Sequence, residues 1–116
     1  MVVGTLDQAS VDRLFHALSD ATRRDIVTVV MRSEVSVSAL ARRYPMSFAA
    51  VQKHVAVLER AELVTKERRG REQLVGGRVE TVRDAARLLD EFEAIWRNRI
   101  ERFGDILTEP DIGDLT

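Results

Sequence analysis

The chain has 116 residues, 45% of them hydrophobic and 32% charged, which indicates a single folded domain. It contains no cysteine, so disulfides, thiolate metal sites and thiol nucleophiles are excluded. Residues 36–71 carry 8 basic and 3 acidic side chains, whereas residues 72–116 carry 6 basic and 11 acidic ones. This basic middle segment favours a polyanionic partner. No apolar run is long enough to span a membrane and no signal-peptide pattern is visible, so we expect a cytoplasmic protein without a membrane partner.

Three helices are predicted in the first part of the chain. Ser10 is the predicted N-cap of the first helix, which has Leu14 on its apolar stripe. Asp20 is the predicted N-cap of the second helix and Ser36 that of a short third one, with a simple connection between them. The third helix ends before Pro45, because a residue that precedes proline is disfavoured in the helical region.

A fourth helix is predicted from the N-cap Ser47 to about Ala61. The face opposite the apolar stripe of this helix holds small residues around Lys53, with Gln52 and His54 on the flanks. This pattern suits close approach to another surface. An alanine-rich helix selected for helix propensity is the alternative explanation. The predicted apolar stripe consists of Phe48, Val51, Val55 and Leu58.

A β-hairpin and a long helix are predicted in the second half. Residues 63–68 and 72–75 are predicted as the two strands of a hairpin, and the turn between them contains Gly70. Gly76 and Gly77 are predicted to break the chain before a helix over about residues 81–107. The predicted organisation is therefore an N-terminal arm at 1–9, one domain at 10–108, and an acidic flexible tail at 109–116.

The last helix carries an apolar stripe with an average spacing near that of coiled coils. So small a domain cannot bury the whole stripe against itself, so we expect the helix to pack against a second copy of the chain. The predicted dimer interface includes Leu14 of the first helix together with the following residues of the stripe: Leu89, Phe92, Trp96, Ile100 and Phe103. The fold class predicted from these elements is mainly α with a small hairpin wing, a winged helix–turn–helix.

Several segments resemble one known family. They read ALSDATRRDI at 17–26, VSALA at 37–41, MSFAAVQKHVAVL at 46–58 and AELV at 61–64. Together they resemble the ArsR-type winged-helix transcriptional repressors of bacteria, over roughly residues 10–100. The resemblance implies a homodimeric, sequence-specific repressor that binds an inverted-repeat DNA operator and is not an enzyme.

The metal-sensing members of that family carry cysteines on the third helix, or histidine and carboxylate ligands on the last one. Here no thiolate is available, and the two histidines, His16 and His54, lie outside the last helix. The chain therefore resembles a member without the metal-sensing function, with no metal and no cofactor. A weak all-oxygen site among Asp90, Glu91 and Glu93 is the alternative to an ordinary solvated face.

In the arrangement that the resemblance implies, two copies of the helix that begins at Ser47 enter successive major grooves about 34 Å apart. The start of this helix can bind a phosphate. Lys53 can reach guanine or a phosphate, and Gln52 can pair with adenine. His54 occupies the position of a family histidine and is expected to contact backbone phosphate, with a hydrogen bond inside the fold as the alternative.

The remaining expected DNA contacts lie in the first turn of the helix and in the wing. Phe48 is placed either at the edge of the core or against a thymine methyl group, and Ala49 is small enough for close contact. The wing arginines Arg68, Arg69 and Arg71 are expected to bind phosphates or enter a minor groove, with a solvated hairpin tip as the alternative.

The rival functional interpretation is a winged helix that binds another protein instead of DNA. An enzyme is not supported, because no nucleophile arrangement, phosphate-cradling loop or metal-ligand cluster is visible. An effector, either a small organic molecule or a partner protein, is an open expectation that the sequence does not identify.

Overall fold

The computed structural model describes residues 7–108, and the predicted fold class is confirmed: helices around one small sheet. The first six residues of the predicted arm and the whole of the predicted tail lie outside the described residues. The elements in chain order are α1 (Gln8–Ala17), α2 (Ala21–Arg32), β1 (Val35–Ser36), α3 (Val37–Ala41), α4 (Phe48–Arg60), β2 (Val64–Arg69), β3 (Glu72–Gly77) and α5 (Val79–Thr108).

Side-chain caps begin the first four helices. The predicted caps Asp20, Ser36 and Ser47 are confirmed, and each accepts the amide three residues ahead at 3.0 Å. The prediction for Ser10 was wrong, because α1 begins earlier and Asp7 accepts the Ser10 amide at 2.7 Å. The amide that Arg23 donates to Asp20 also holds the pKa of that carboxyl below its ordinary value.

The core is formed inside residues 7–85, and α4 packs against α1, α2, α3 and β2. The core is not formed by the apolar faces of the helices alone, because β2 and β3 also contribute side chains to it. The largest fully buried side chains are Leu14, Ile26, Leu40, Val51, Val55, Leu58, Leu63, Val64 and Val75.

The sheet has three strands in the order β1-β3-β2, and every pair is antiparallel. The two-residue strand β1 was predicted only as a connection, because two residues cannot show a strand pattern. Val35 pairs with Val75, and Ser36 pairs with Leu74.

The predicted chain break at Gly76 and Gly77 was wrong, because both glycines lie in β3 and pair with β2. At Gly77 an added Cβ would lie 2.5 Å from the Sδ of Met31 on α2. A residue larger than glycine there would therefore require the flexible side chain of Met31 to move aside. The hairpin turn consists of Gly70 and Arg71, with Gly70 at φ +64°, the left-handed backbone that glycine adopts without strain.

Residues 86–108 belong to a second compact unit and continue α5, which extends two residues earlier and one residue later than predicted. No side chain described in residues 86–107 is fully buried. Among residues 7–108, no helix has the length and apolarity that crossing a membrane requires.

Candidate nucleic-acid interface

Helix α4 is anchored through one face and exposes the other. Val51, Val55 and Leu58 are buried at 1% exposure or less, which fixes the rotation of the helix about its axis. The predicted stripe was correct for these three residues. Phe48 is 47% exposed and lies outside the core. This exposure favours its predicted contact with a thymine methyl group over a place at the edge of the core.

The exposed side of α4 carries the predicted DNA-contact residues Ala49, Gln52 and Lys53. Within residues 7–108, neither the Lys53 ammonium nor the Gln52 amide is engaged in an ion pair or hydrogen bond. The Ser47 hydroxyl accepts the Ala50 amide, and the earlier amides of the first turn have no partner inside the helix. An anion is therefore favoured at this end of α4, and a cationic side chain is available one turn further along.

His54 lies beside α4's exposed face but is partly buried and engaged with α2. Its Nδ1 lies 3.3 Å from Nη1 of Arg23. Since a guanidinium only donates, Nδ1 is the acceptor in this contact. The alternative interpretation of His54, a hydrogen bond within the fold, therefore describes its observed contact, and a phosphate contact stays a prediction.

Two arginines of α2, Arg23 and Arg24, make contacts with the end of α1 that the sequence did not predict. Arg23 donates to the carbonyl oxygens of His16 at 3.0 Å and Ala17 at 2.7 Å, and Arg24 donates to that of Leu18 at 2.8 Å. These carbonyls lie at the end of α1, where the helix supplies no amide four residues ahead for its last acceptors. Arg23 thus joins the end of α1 to the exposed helix α4 through one side chain.

A second unpredicted contact fixes the turn that precedes α4. The hydroxyl of Tyr44 donates to Oδ2 of Asp25 on α2 at 2.6 Å. Burial raises the pKa of the Tyr44 phenol to about 12, and the hydrogen bond to the Asp25 carboxylate adds to the rise. The start of α4 is therefore held at a fixed position by α2. A tyrosine directly before proline is the only sequence signal for this contact.

The wing presents all three predicted arginines at the surface, but their surroundings differ. Arg69 forms ion pairs with Glu34 at 3.4 Å and with Glu67 at 3.3 Å. Arg68 and Arg71 form no ion pair with any residue from 7 to 108. The wing therefore contains two uncompensated cations and one compensated cation.

The predicted dimer residues fall into two groups. The structure places Leu14 in the core at 1% exposure, where it has no surface to offer a partner. The five predicted interface side chains on α5 are all at least half exposed, and the Arg99 guanidinium lies over the Trp96 ring at 5.4 Å. Those predicted α5 residues and their exposures are Leu89 52%, Phe92 58%, Trp96 54%, Ile100 50% and Phe103 62%.

No group of three or more histidines and carboxylates that could hold a metal ion is formed within the part of the chain that the structure describes. Asp90, Glu91 and Glu93 therefore do not form the all-oxygen site that the sequence left as an alternative.

Comparison with known proteins agrees with this geometry. A stretch of 55 residues is 46% identical to the HTH-type transcriptional regulator Rv2034 of Mycobacterium tuberculosis, and it spans 47% of this chain and 51%, about half, of that regulator. No protein-family model matches the chain. The exposed helix and the wing define the class of the fold as a winged helix–turn–helix, and the matched relative is a transcriptional regulator.

Two solved structures define the family. An ArsR-like transcriptional regulator from Rhodococcus sp. RHA1 is 35% identical, with a TM-score of 0.75 over 84% of this chain and 92% of the other. The ArsR family transcriptional regulator RHA00566 is 25% identical, with a TM-score of 0.75 over 80% and 96% of the two chains. The chain belongs to the ArsR family of winged helix–turn–helix, DNA-binding transcriptional regulators.

Proposed function

We propose that the protein is a homodimeric repressor that binds an inverted-repeat DNA operator sequence-specifically in the cytoplasm. The observation that carries this proposal is the exposed face of α4, where Lys53 and Gln52 have no partner among the described residues while the opposite face is locked into the core. A helix fixed in this way presents the same side chains to every duplex, as base readout requires.

The roles on α4 follow from the chemistry of each side chain. The start of the helix at Ser47 binds a backbone phosphate, and Ala49 permits the close approach. Phe48 contacts a thymine methyl group, Gln52 pairs with adenine, and Lys53 binds guanine or a phosphate. His54 is the weakest member of the set, since its Nδ1 is already occupied by Arg23.

Dimerisation through α5 completes the proposal. The α5 side chains Leu89, Phe92, Trp96, Ile100 and Phe103 recur at steps of three and four, so they form one apolar stripe along the helix. A second copy of α5 covers this stripe in the proposed dimer. Two-fold symmetry then matches an inverted repeat whose half-sites are about 10 base pairs apart or a multiple of that spacing. Because the chain has no cysteine, we propose that the regulator responds to something other than a soft metal ion.

Selection of bound DNA from a random duplex pool tests the proposal. We expect enrichment of an inverted repeat, and failure to enrich any sequence would contradict specific binding. In the enriched duplex, Lys53→Ala is expected to cost about 1–3 kcal/mol and to relax the preference at one base pair if Lys53 reads a base.

Arg97→Ala is the matched control, because it also removes one exposed cation but lies on α5 in an ion pair with Glu93. It should leave the base preference unchanged. A uniform loss for Lys53→Ala on every duplex would reassign Lys53 to a phosphate contact.

A further inference from the structure

The two faces of the wing hairpin carry different charges. Residues directly opposite each other in an antiparallel pair share a face, and the face alternates along each strand. The register therefore assigns every residue of the hairpin to one of two sets. The first face contains Val64, Lys66, Arg68, Gln73, Val75 and Gly77, and the second contains Thr65, Glu67, Arg69, Glu72, Leu74 and Gly76.

Every carboxylate of the two strands lies on the second face, and Arg69 lies among them. Its guanidinium is paired with Glu67 on the same strand and stands opposite Glu72 in the register. Glu34, which directly precedes β1, adds a third carboxylate on the same side at 3.4 Å. Three negative charges therefore surround one positive charge, and this face does not attract a phosphate backbone.

The first face has the opposite character. Arg68 has no carboxylate within ion-pair distance in the described chain, and its cross-strand neighbour Gln73 is neutral. Lys66 on the same face reaches Glu59 near the end of α4 only at 3.9 Å. Arg71 follows Gly70 in the turn and is also unpaired within residues 7–108. The uncompensated positive charge of the hairpin thus lies on one face and at the tip.

We propose that the wing binds the DNA backbone with Arg68 and Arg71 alone, and that Arg69 is a positioning residue. Arg69 offsets part of the negative charge on the acidic face and pairs the hairpin with Glu34, which directly precedes β1. This inference deepens the proposed function and rests on it, because it specifies which wing side chains touch a polyanion. The proposal assigns different roles to three arginines that the sequence alone does not distinguish.

The test is the salt dependence of binding to a mixed-sequence duplex of about 30 base pairs, about three helical turns. Such a duplex reports phosphate contacts without requiring a known operator. Arg68→Gln and Arg71→Gln should each reduce the slope of log K against log salt concentration by about 0.9 per half-site. Arg69→Gln should lower the affinity but leave the slope at its wild-type value.

Two further variants separate positioning from direct contact. Arg69→Lys retains a cation among the carboxylates and should restore the wild-type affinity. Adding Glu34→Gln to Arg69→Gln removes one of the exposed carboxylates and should also recover affinity. A merely structural role of Arg69 would not be rescued by deleting a second charge.

Failures of the two proposals are distinguishable. Suppose that wild-type protein binds the duplex and that Arg69→Gln reduces the slope as much as Arg68→Gln does. Arg69 would then contact a phosphate as Arg68 does, so the assigned positioning role would be wrong while the proposed DNA binding would be retained. If wild-type protein shows no salt-dependent binding, the proposed function fails and this inference fails with it. Circular dichroism of each variant confirms that the fold is retained.

Discussion

Residues 7–85 and residues 86–107 use similar apolar side chains in opposite ways. In the first region Leu14, Leu40 and Leu58 are essentially inaccessible, whereas on α5 of the second region Leu89 is 52% exposed and Ile106 is 70% exposed. The first region buries its own apolar surface. The second carries a continuous row of large side chains that nothing in the described chain covers fully. The comparison shows that hydrophobic content alone does not distinguish a core from an interface.

The largest effect should come from a matched pair of leucines. Leu58→Ala should lower the free energy of unfolding by about 3 kcal/mol, because it leaves a cavity in a tightly packed core. Leu89→Ala should destabilise only through weakened association, so its effect should depend on protein concentration. Urea denaturation at several protein concentrations measures both. Equal, concentration-independent losses would remove the distinction between the two regions.

Trp96→Ala tests the second region directly. An aromatic anchor at an interface commonly contributes about 2 kcal/mol or more, so the dimer dissociation constant should rise about 30-fold. Sedimentation equilibrium measures this constant, and Arg97→Ala on the same helix serves as the exposed control. Trp96 is the only tryptophan, so its fluorescence in the wild type should shift to shorter wavelength on dimerisation. An intact Trp96→Ala dimer at low micromolar concentration would place the interface elsewhere.

Gly77→Ala tests how tightly the first region is packed. The new methyl group would collide with Met31, and we expect a loss of roughly 1.5 kcal/mol in unfolding free energy. Gly76→Ala is the matched control, because its Cβ would lie 3.3 Å from Oγ1 of Thr65 and requires only a small shift. Thermal denaturation compares the two variants. Equal stability of both would show that the Met31 side chain moves aside at little cost.

The smallest expected effect concerns Tyr44. Its raised pKa means that the protonated phenol is stabilised in the folded state, so this stability is present below about pH 10 and is lost as pH rises through about 12. Tyr44→Phe should cost about 1 kcal/mol near neutral pH and remove that contribution at high pH. Tyr44 is the only tyrosine, so ultraviolet titration of the phenolate reports it alone. A titration midpoint near 10 in the folded protein would contradict the Asp25 contact.

The sequence predicted what depends on short separations. The caps at Asp20, Ser36 and Ser47 each need one side chain and an amide three residues away, so they can be identified without any tertiary information. The buried stripe of α4 is likewise a local periodicity. The exception at Ser10 shows the limit of that reasoning, because Asp7 was an equally good cap one turn earlier.

The unpredicted contacts that position α4 and the wing join residues that are distant in sequence. Arg23 meets His54 across 31 positions, and Tyr44 meets Asp25 across 19. Arg69 is paired with Glu34 across 35 positions. The sequence therefore showed the charge of Arg69 but not the carboxylate that pairs with it. The predicted list of DNA contacts therefore contained the correct residue types but could not rank them.

The two-residue strand β1 has a mechanical consequence. Ser36 pairs with Leu74 in the sheet and, through its hydroxyl, caps α3. The same residue thus belongs to the ladder that carries the wing and to the helix that precedes α4. Rotation of the hairpin about its base would have to break either the Ser36–Leu74 pairing or the cap of α3. We therefore expect the wing and the helices to move as one rigid body. In the proposed DNA complex the domain would then need little rearrangement, so we expect little conformational entropy to be lost on binding.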